Sequence, residues 1–431
     1  LHRGVGVNLF ERPFWKNNIR WRMQTAPFYS KKILSFGDGS SPMRGLWRMT
    51  ADMVRLIAHS TKTSEFDAYL GELEAEIPKT QSGVEDLWYF RKVSPLQYFC
   101  GEKTVVQKAK IKASHQDNAL TLFPEGGWAA IRTAPHDPEN DIAFIFRSSP
   151  YGNDSHSHAN QNDFILHAGG EALLHPSGYY DGWGTHHQTS WVWHSRSHNC
   201  LTLSGASQLL RSRAARGAVL GAFENERLVY FLGNADRAYA NQARKCRRHV
   251  LFFKNEKVFL LLDEVAAKPG QSFQCQWNAH SFEKFKVGPD HKMFSVRKNK
   301  VVLDGHFLYR ETSFVNQSEG FEPPYHTVLE ENLKFWGNQH HLQFVASTYA
   351  SERRIGVLLA PRFGSHAAPE IKTSAEGSVE CASFSDIGIR LRQGERLASK
   401  DPRPEGEPFL EIQIGENHLK INSDGICSGV S

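Results

Sequence analysis

The feature that most constrains the fold of this chain is a series of short apolar segments that begins near residue 119. Segments such as 142–147 and 258–263 are almost entirely apolar, and turn sequences such as Gly126-Gly127 separate the segments. This spacing predicts antiparallel sheets with hairpin connections. The predicted strands are 119–123, 128–133, 142–147, 163–168, 199–204, 227–232, 249–253, 258–263, 272–277 and 342–347, with weaker ones at 387–391 and 409–414.

The first hundred or so residues have a different periodicity. Between residues 43 and 59, apolar side chains recur every three or four positions, which predicts an amphipathic helix. Further helices are predicted at 66–76 and 84–93, and residues 36–40 predict a turn. The chain is therefore expected to be a multidomain α+β protein, with a helical segment at 1–112, a large antiparallel β-sandwich at 113–361 and a small β-sheet domain at 362–431.

Composition excludes several classes of protein. The 431 residues are 40% hydrophobic and 23% charged, as in ordinary soluble proteins, and no run of 18 apolar residues predicts a membrane span. The first residues lack a signal-peptide pattern. A formal net charge of +5 fits a polyanionic ligand but is too small and too evenly spread to favour nucleic acid. Six scattered cysteines, without a C-x-x-C pair, predict buried thiols and no dense disulfide framework.

Four histidines lie within one short stretch of the predicted sheets: His156, His158, His175 and His198. One residue separates the first two, and this strand period would direct both rings to the same face. Imidazole suits zinc, and three protein ligands leave one position open. The pattern predicts a zinc site formed by His158, His175 and His198, with His156 left for catalysis. Because the chain contains 21 histidines, chance clustering of ordinary hydrogen-bonded residues is the alternative.

Three blocks of sequence, at 155–174, 176–180 and 195–203, resemble the heparinase II/III-like family of polysaccharide lyases. The resemblance implies that the helical segment is the C-terminal end of an α/α toroid, which packs against antiparallel sheets and encloses a uronic-acid substrate. It also implies that the principal tyrosine and another histidine belong to earlier helices, so the N-terminal toroid portion of the same protein would be a partner of this chain.

The same resemblance implies roles for the histidines. His156 would be the active-site histidine, while His158 and His198 would bind zinc or another divalent metal such as manganese. The family commonly has an aspartate where this chain has His175. The implied reaction is β-elimination at the 4-O-glycosidic bond of a uronate, carried out by a carbon–oxygen lyase on alginate or a glycosaminoglycan. A periplasmic or secreted location and a homodimer are further expectations.

Several other residues are candidates for substrate contact. Tyr179 and Tyr180 would place a phenol in the cleft or a ring in the core. Arg196 would bind a carboxylate or sulfate, or form a surface salt bridge. Asn160 is expected at the substrate or as a residue that orients the histidines. An aromatic, histidine-rich loop could stack on sugar rings or belong to the core, and it contains Trp183, His186, His187, Trp191 and Trp193.

Two alternatives to a lyase remain open. A uronyl C5-epimerase would use the same abstraction of the C5 proton, and a non-catalytic carbohydrate-binding module would keep the histidines for metal-supported folding. Other enzyme classes have no support, because the sequence lacks a Walker-type phosphate loop and a G-x-S-x-G elbow.

Overall fold

The computed structural model describes residues 10, 12–29, 34, 36–40, 47–61, 63–64, 66–76, 118–178, 181–309, 311–321, 337–393 and 407–428. The chain divides into two compact units. One comprises Leu1–Leu34 and Met43–Asp117, and the other comprises Ser35–Pro42 and Asn118–Ser431.

The first unit contains three described helices, α1 (Pro13–Thr25), α2 (Trp47–Thr61) and α3 (Asp67–Glu76). The last two correspond to the helices predicted at 43–59 and 66–76, whereas the predicted helix at 84–93 lies outside the described residues. Helix α1 was not predicted; a proline begins it, a position where its fixed φ and missing N–H do no harm. The hydroxyl of Tyr69 on α3 donates a hydrogen bond to the carbonyl of Ala26, at 2.6 Å. None of the described helices is long and apolar enough to cross a membrane.

The second unit is built from antiparallel strands, as the sequence predicts. The strands are β1 (Leu120–Phe123), β2 (Trp128–Arg132), β3 (Ile142–Arg147), β4 (Asp163–Ala168), β5 (Glu171–Leu174), β6 (Leu201–Leu203), β7 (Ala218–Glu224), β8 (Leu228–Asn234), β9 (Ala243–Phe253), β10 (Val258–Ala267), β11 (Phe273–Ser281), β12 (Phe285–Val287), β13 (Met293–Lys298), β14 (Val301–Leu308), β15 (Ser313–Glu319), β16 (His340–Ala350), β17 (Glu352–Arg362), β18 (Lys372–Glu376), β19 (Val379–Phe384), β20 (Ile387–Arg392), β21 (Leu410–Ile414), β22 (Asn417–Asn422) and β23 (Gly425–Ser428).

The strands form four sheets. The orders are β1-β2-β3-β4-β5 for a five-stranded sheet, β12-β13-β14-β17-β10-β9-β8-β7 for an eight-stranded sheet, β15-β16-β11-β6 for a four-stranded sheet and β18-β19-β20-β21-β22-β23 for a six-stranded sheet. The five- and four-stranded sheets share one hydrophobic core with a single face of the eight-stranded sheet. The architecture is therefore a large β-sandwich with few helices.

The central strands of the eight-stranded sheet are buried on both faces, which explains their continuous apolar runs. Along β10, Phe259 and Leu261 belong to the core shared with the five-stranded sheet, while Leu260 and Leu262 belong to a second core on the opposite face. Alternate side chains of a strand point to opposite faces, so both sets must be apolar. The second core is completed by the six-stranded sheet, including Ile389 on β20. The small C-terminal sheet thus packs on the sandwich as a further layer.

Candidate active site

The five-stranded sheet positions the histidine-rich segment, but not in the way that the strand period predicts. His156 and His158 lie in the loop between β3 and β4, where Ser155 has a φ of 58° and the amide of Ser157 donates a hydrogen bond to the carbonyl of Asp154, at 3.2 Å. The expectation that both rings extend from one strand was therefore wrong. The turn, and not a strand, brings the two histidines to one side of the loop.

A single carboxylate connects the two histidines. Asp38 Oδ2 lies 2.5 Å from Nδ1 of His156, and Asp38 Oδ1 lies 2.9 Å from Nε2 of His158. Burial raises the pKa of the Asp38 carboxyl, but hydrogen bonds from His158 and His156 outweigh it and leave the pKa below its usual value. Asp38 is therefore an anion at neutral pH that accepts one N–H from each ring.

Asp38 reaches this position through a close approach of two backbones. It follows Gly37 in a short turn, Gly37–Ser40, within the second unit, and its amide donates to the carbonyl of His156 at 3.2 Å. Gly37 has a φ of +73°, and a Cβ at this position would lie 2.5 Å from the His156 carbonyl oxygen. Only glycine fits both requirements. The sequence predicts the turn, but the role of its aspartate was missed.

His158 also forms a buried contact with His198. Burial lowers the pKa of His158 to about 4, so its ring is neutral at pH 7. Because Nε2 of His158 donates to Asp38, its Nδ1 carries a lone pair. This Nδ1 faces Nε2 of His198 at 3.2 Å, and Nε2 of His198 also lies 3.2 Å from the carbonyl oxygen of Val192. Two acceptors therefore converge on one ring nitrogen, an environment that calls for a proton or a metal cation.

The other nitrogen of His198 donates to Asp163, and each oxygen of the Asp163 carboxylate accepts two hydrogen bonds. Asp163 Oδ2 accepts from His198 Nδ1 at 2.9 Å and from Asn160 Nδ2 at 3.1 Å. Its Oδ1 accepts the backbone amides of Phe164 and Asn199, at 2.8 and 2.9 Å. A carboxylate in this position fixes the tautomer and orientation of a ligating imidazole.

Asn160 is completely buried, and its side chain is directed into this network. Its Oδ1 accepts from Arg147 Nη1 at 2.5 Å, while its amide nitrogen donates to Asp163. Burial lowers the pKa of Arg147 to about 10, against the effect of Asp163, so the guanidinium remains charged at pH 7. In this arrangement Asn160 supports Asp163, and a direct contact between Asn160 and a sugar stays a prediction.

A second buried arginine ties the histidine-bearing segments to the eight-stranded sheet. Arg248 on β9 forms two hydrogen bonds with Asp263 on β10, both 2.8 Å long. Its Nη1 donates to the backbone carbonyls of Asn162 and Asn199, each at 2.7 Å. These carbonyls immediately precede Asp163 and follow His198 in the chain. Arg248 therefore sets the spacing of the two segments, although no sequence motif indicates it.

The predicted metal ligands are gathered only in part. A tetrahedral metal with Zn–N bonds of about 2.05 Å separates two imidazole nitrogens by about 3.3 Å, close to the observed His158–His198 distance. His175 has other contacts: its Nδ1 lies 3.1 Å from the carbonyl of Pro176, and its ring packs beside Phe282. Among the described residues, no three His, Cys, Asp or Glu side chains are arranged to hold one metal ion. The donors of His158 and His198 fit a metal, while ligation by His175 stays a prediction.

The remaining candidates occupy different environments. Arg196 Nη2 donates to the carbonyl of Ser190, at 2.7 Å. Trp191 is buried and its indole N–H donates to Ser177 Oγ at 2.7 Å, as expected of a core residue. Trp183, in contrast, is 50% exposed, and its ring centroid lies 4.7 Å from that of His156. Tyr179 and Tyr180 lie outside the described residues.

Comparisons with known proteins agree with the resemblance of the three sequence blocks. The family model described as Heparinase II/III-like, C-terminal matches residues 115–350. No curated protein sequence matches the chain.

Solved structures are similar in fold. A heparan sulfate lyase from Pedobacter heparinus has a TM-score of 0.59 and 13% identity, over 96% of this chain and 52% of that one. A heparinase III has a TM-score of 0.62 and 13% identity, over 94% of this chain and 52% of that one. Another heparinase III structure has a TM-score of 0.57 and 15% identity, over 86% of this chain and 52% of that one. The chain therefore spans about half the length of these structures.

Proposed function

Because the chain belongs to the heparinase II/III-like family, we propose that it is the sheet portion of a polysaccharide lyase. The substrate would be a uronic-acid-containing glycosaminoglycan, cleaved by β-elimination; alginate is a second candidate polymer. The observation that carries this proposal is the pairing of His156 with Asp38, beside the exposed ring of Trp183. The N-terminal toroid portion of the same protein would supply the remaining catalytic groups, and the family suggests a periplasmic or secreted location.

The chemistry of β-elimination defines what His156 does. The C5–H bond of the uronate breaks, a C4–C5 double bond forms, and the C4–O4 bond breaks with a proton delivered to O4. Since Nδ1 of His156 donates to Asp38, its Nε2 carries the lone pair, and the side chain is 73% exposed. Nε2 can therefore exchange a proton with the sugar, and the Asp38 carboxylate stabilises the imidazolium that forms. We assign proton transfer to this nitrogen.

We further propose that His158 and His198 hold a zinc ion, with His175 as the predicted third ligand. The ion would supply a fixed positive charge beneath the site. The protein's own contribution is to position these groups. Nδ1 of His158 would bind the ion while its Nε2–H donates to Asp38, and Asp38 in turn orients His156. His158 and His198 would thus each donate the second N–H to a carboxylate, that of Asp38 and that of Asp163.

The test is a turnover assay with the full-length protein on heparan sulfate and other uronate polymers. A lyase releases products whose new double bond absorbs ultraviolet light, and His156→Ala should reduce this release by about 10²-fold or more. His418→Ala is the matched control, because His418 is an exposed histidine on β22, in the six-stranded sheet. Inversion at C5 without a double bond would identify a C5-epimerase. Unchanged turnover in His156→Ala would contradict the assignment and favour a non-catalytic carbohydrate-binding module.

A further inference from the structure

The strongest feature that the proposed function does not use is an arginine stacked on the aromatic surface beside His156. The Cζ atom of Arg211 lies 4.2 Å from the ring centroid of Trp193 and 5.9 Å from that of Trp183. The two indoles are 5.8 Å apart, and Trp183 also contacts His156. A guanidinium stacked on an aromatic face keeps its N–H donors in its own plane, directed to the sides of the stack.

The N–H donors of Arg211 have no hydrogen-bond partner among the residues that the structure describes. Asp154 on the same surface is paired with Arg213 through a 2.9 Å contact with Nε; this hydrogen bond, and then the charges of Arg213 and Arg211, lower the pKa of the Asp154 carboxyl. Arg211 itself is exposed, and among the described residues its guanidinium stacks on two indole rings without forming a hydrogen bond. The stacked cation is therefore oriented, and its N–H donors are open to a ligand.

The backbone of Arg211 is held in an unfavourable conformation. Its φ is 46°, in the left-handed region that a β-carbon disfavours and that glycine would occupy without cost. Such strain persists only where surrounding contacts impose it, and it is concentrated at functional positions.

Asn153 imposes this conformation. It is fully buried, its Oδ1 accepts the amide of Ser212 at 2.6 Å, and its backbone amide donates to the Ser212 carbonyl at 3.1 Å. Its side-chain nitrogen donates to the carbonyl of Leu209. Gly152 allows the close approach, because a Cβ there would lie 2.5 Å from the Ser212 carbonyl oxygen. The residues on both sides of Arg211 are thus fixed to the segment that leads to His156.

We propose that Arg211 forms a subsite for the sulfate or carboxylate group of an acidic sugar, next to the sugar on which His156 acts. This inference rests on the proposed function for its choice of ligand. A sugar ring would stack on the exposed face of Trp183, and its anionic group would accept the in-plane N–H donors of Arg211. A rigid, preoriented cation binds such a group with little loss of conformational freedom.

Binding of oligosaccharides to the full-length protein tests the subsite separately from turnover. Heparan sulfate oligosaccharides, the same oligosaccharides after chemical desulfation, and neutral oligosaccharides are titrated by calorimetry. Arg211→Gln should weaken binding of the sulfated ligand by about tenfold or more, since it removes a charge-assisted hydrogen bond. Arg216→Gln, an exposed arginine of the same loop, loses the same charge and should bind within about twofold of wild type. A defect limited to the sulfated ligand identifies a sulfate partner, and a defect that persists after desulfation identifies a carboxylate.

A second variant separates binding from folding. Arg211→Gly relieves the left-handed strain, so its melting temperature should equal or exceed that of wild type while affinity falls as in Arg211→Gln. Equal affinity of wild type and both Arg211 variants would overturn the subsite, and so would a binding defect in Arg216→Gln of the same size. If His156→Ala leaves turnover unchanged while Arg211→Gln still weakens oligosaccharide binding, the lyase assignment fails and the anion subsite stands.

Discussion

Nδ1 of His158 faces Nε2 of His198 at 3.2 Å, and in both rings the opposite nitrogen is held by a carboxylate. A proton on His198 Nε2 would satisfy this arrangement, and so would a metal ion. Burial lowers the pKa of His158 to about 4, which leaves its Nδ1 available as a ligand at neutral pH.

If a metal occupies this position, the His158→Ala and His198→Ala variants should lose it. Elemental analysis of dialysed protein should find zinc in the wild type and less than about one tenth of that amount in either variant, because each removes one of few ligands. His194→Ala is a useful control, as His194 belongs to the same segment but contacts Ser207 and the Thr189 carbonyl. Full zinc content in the double variant His158→Ala/His198→Ala would rule out these two histidines as the zinc site.

Asp38→Asn should reduce turnover of the full-length protein by about 10- to 1,000-fold. The amide keeps the size of the carboxylate, but it replaces one of the two oxygens with an NH2 donor, so either His156 or His158 loses its acceptor. The measurement is kcat on the best polymer substrate, with the fold checked by circular dichroism. Asp137→Asn changes an exposed aspartate that accepts a hydrogen bond from Asn140, and it should leave kcat unchanged. A kcat for Asp38→Asn equal to that of wild type would refute the orienting role.

Arg248→Met should lower the free energy of unfolding by about 3–5 kcal/mol, because it leaves Asp263 as a buried, unpaired anion. It also removes the donors to the carbonyls of Asn162 and Asn199. Denaturant unfolding measures the change. Arg390→Met, which breaks an exposed pair with Glu376, should leave the free energy of unfolding close to that of the wild type. Replacing Asp263 as well, in Arg248→Met/Asp263→Leu, should recover part of the loss; a double variant that is no more stable would contradict the unpaired-anion explanation.

Stability should fall as the pH drops from about 6.5 towards 4, in part because of His249. Burial lowers the pKa of His249 to about 4 in the folded protein, where its Nδ1 accepts from the hydroxyl of Tyr230 at 3.0 Å. The unfolded chain, with a higher histidine pKa, therefore takes up a proton first, and protonation favours unfolding. The contribution is present above the unfolded pKa and decreases by about 1.4 kcal/mol per pH unit in this window.

Unfolding of His249→Phe, measured from pH 7 to pH 4, should show a shallower decline than the wild type. Phe409→Leu is the matched control, since Phe409 packs against the His249 ring but does not titrate. It should shift the whole profile down without changing its slope. Parallel profiles for wild type and His249→Phe would show that another group causes the acid sensitivity.

Much of the sheet structure could be predicted from local sequence. The strands at 142–147 and 163–168 match β3 and β4, because alternating or continuous apolar runs depend only on near neighbours. Several strands were missed, among them β14 and β17 of the eight-stranded sheet and also β15 and β18, whose mostly exposed side chains give no such pattern. The position of His156 and His158 in a turn also escaped prediction, because their spacing resembles a strand.

The sequence by itself determined the family, through the blocks that contain His156, His158 and His198, and it determined the predominance of antiparallel strands. Only the tertiary structure decided which groups meet. Asp38 lies 118 residues from His156 in the chain, and Arg248 lies 86 residues from Asn162. Neither pair has a local signal, since strand pairing and the packing of whole sheets determine which distant segments come together. The same packing brings Asp38 to the two histidines and stacks Arg211 on the indoles beside His156.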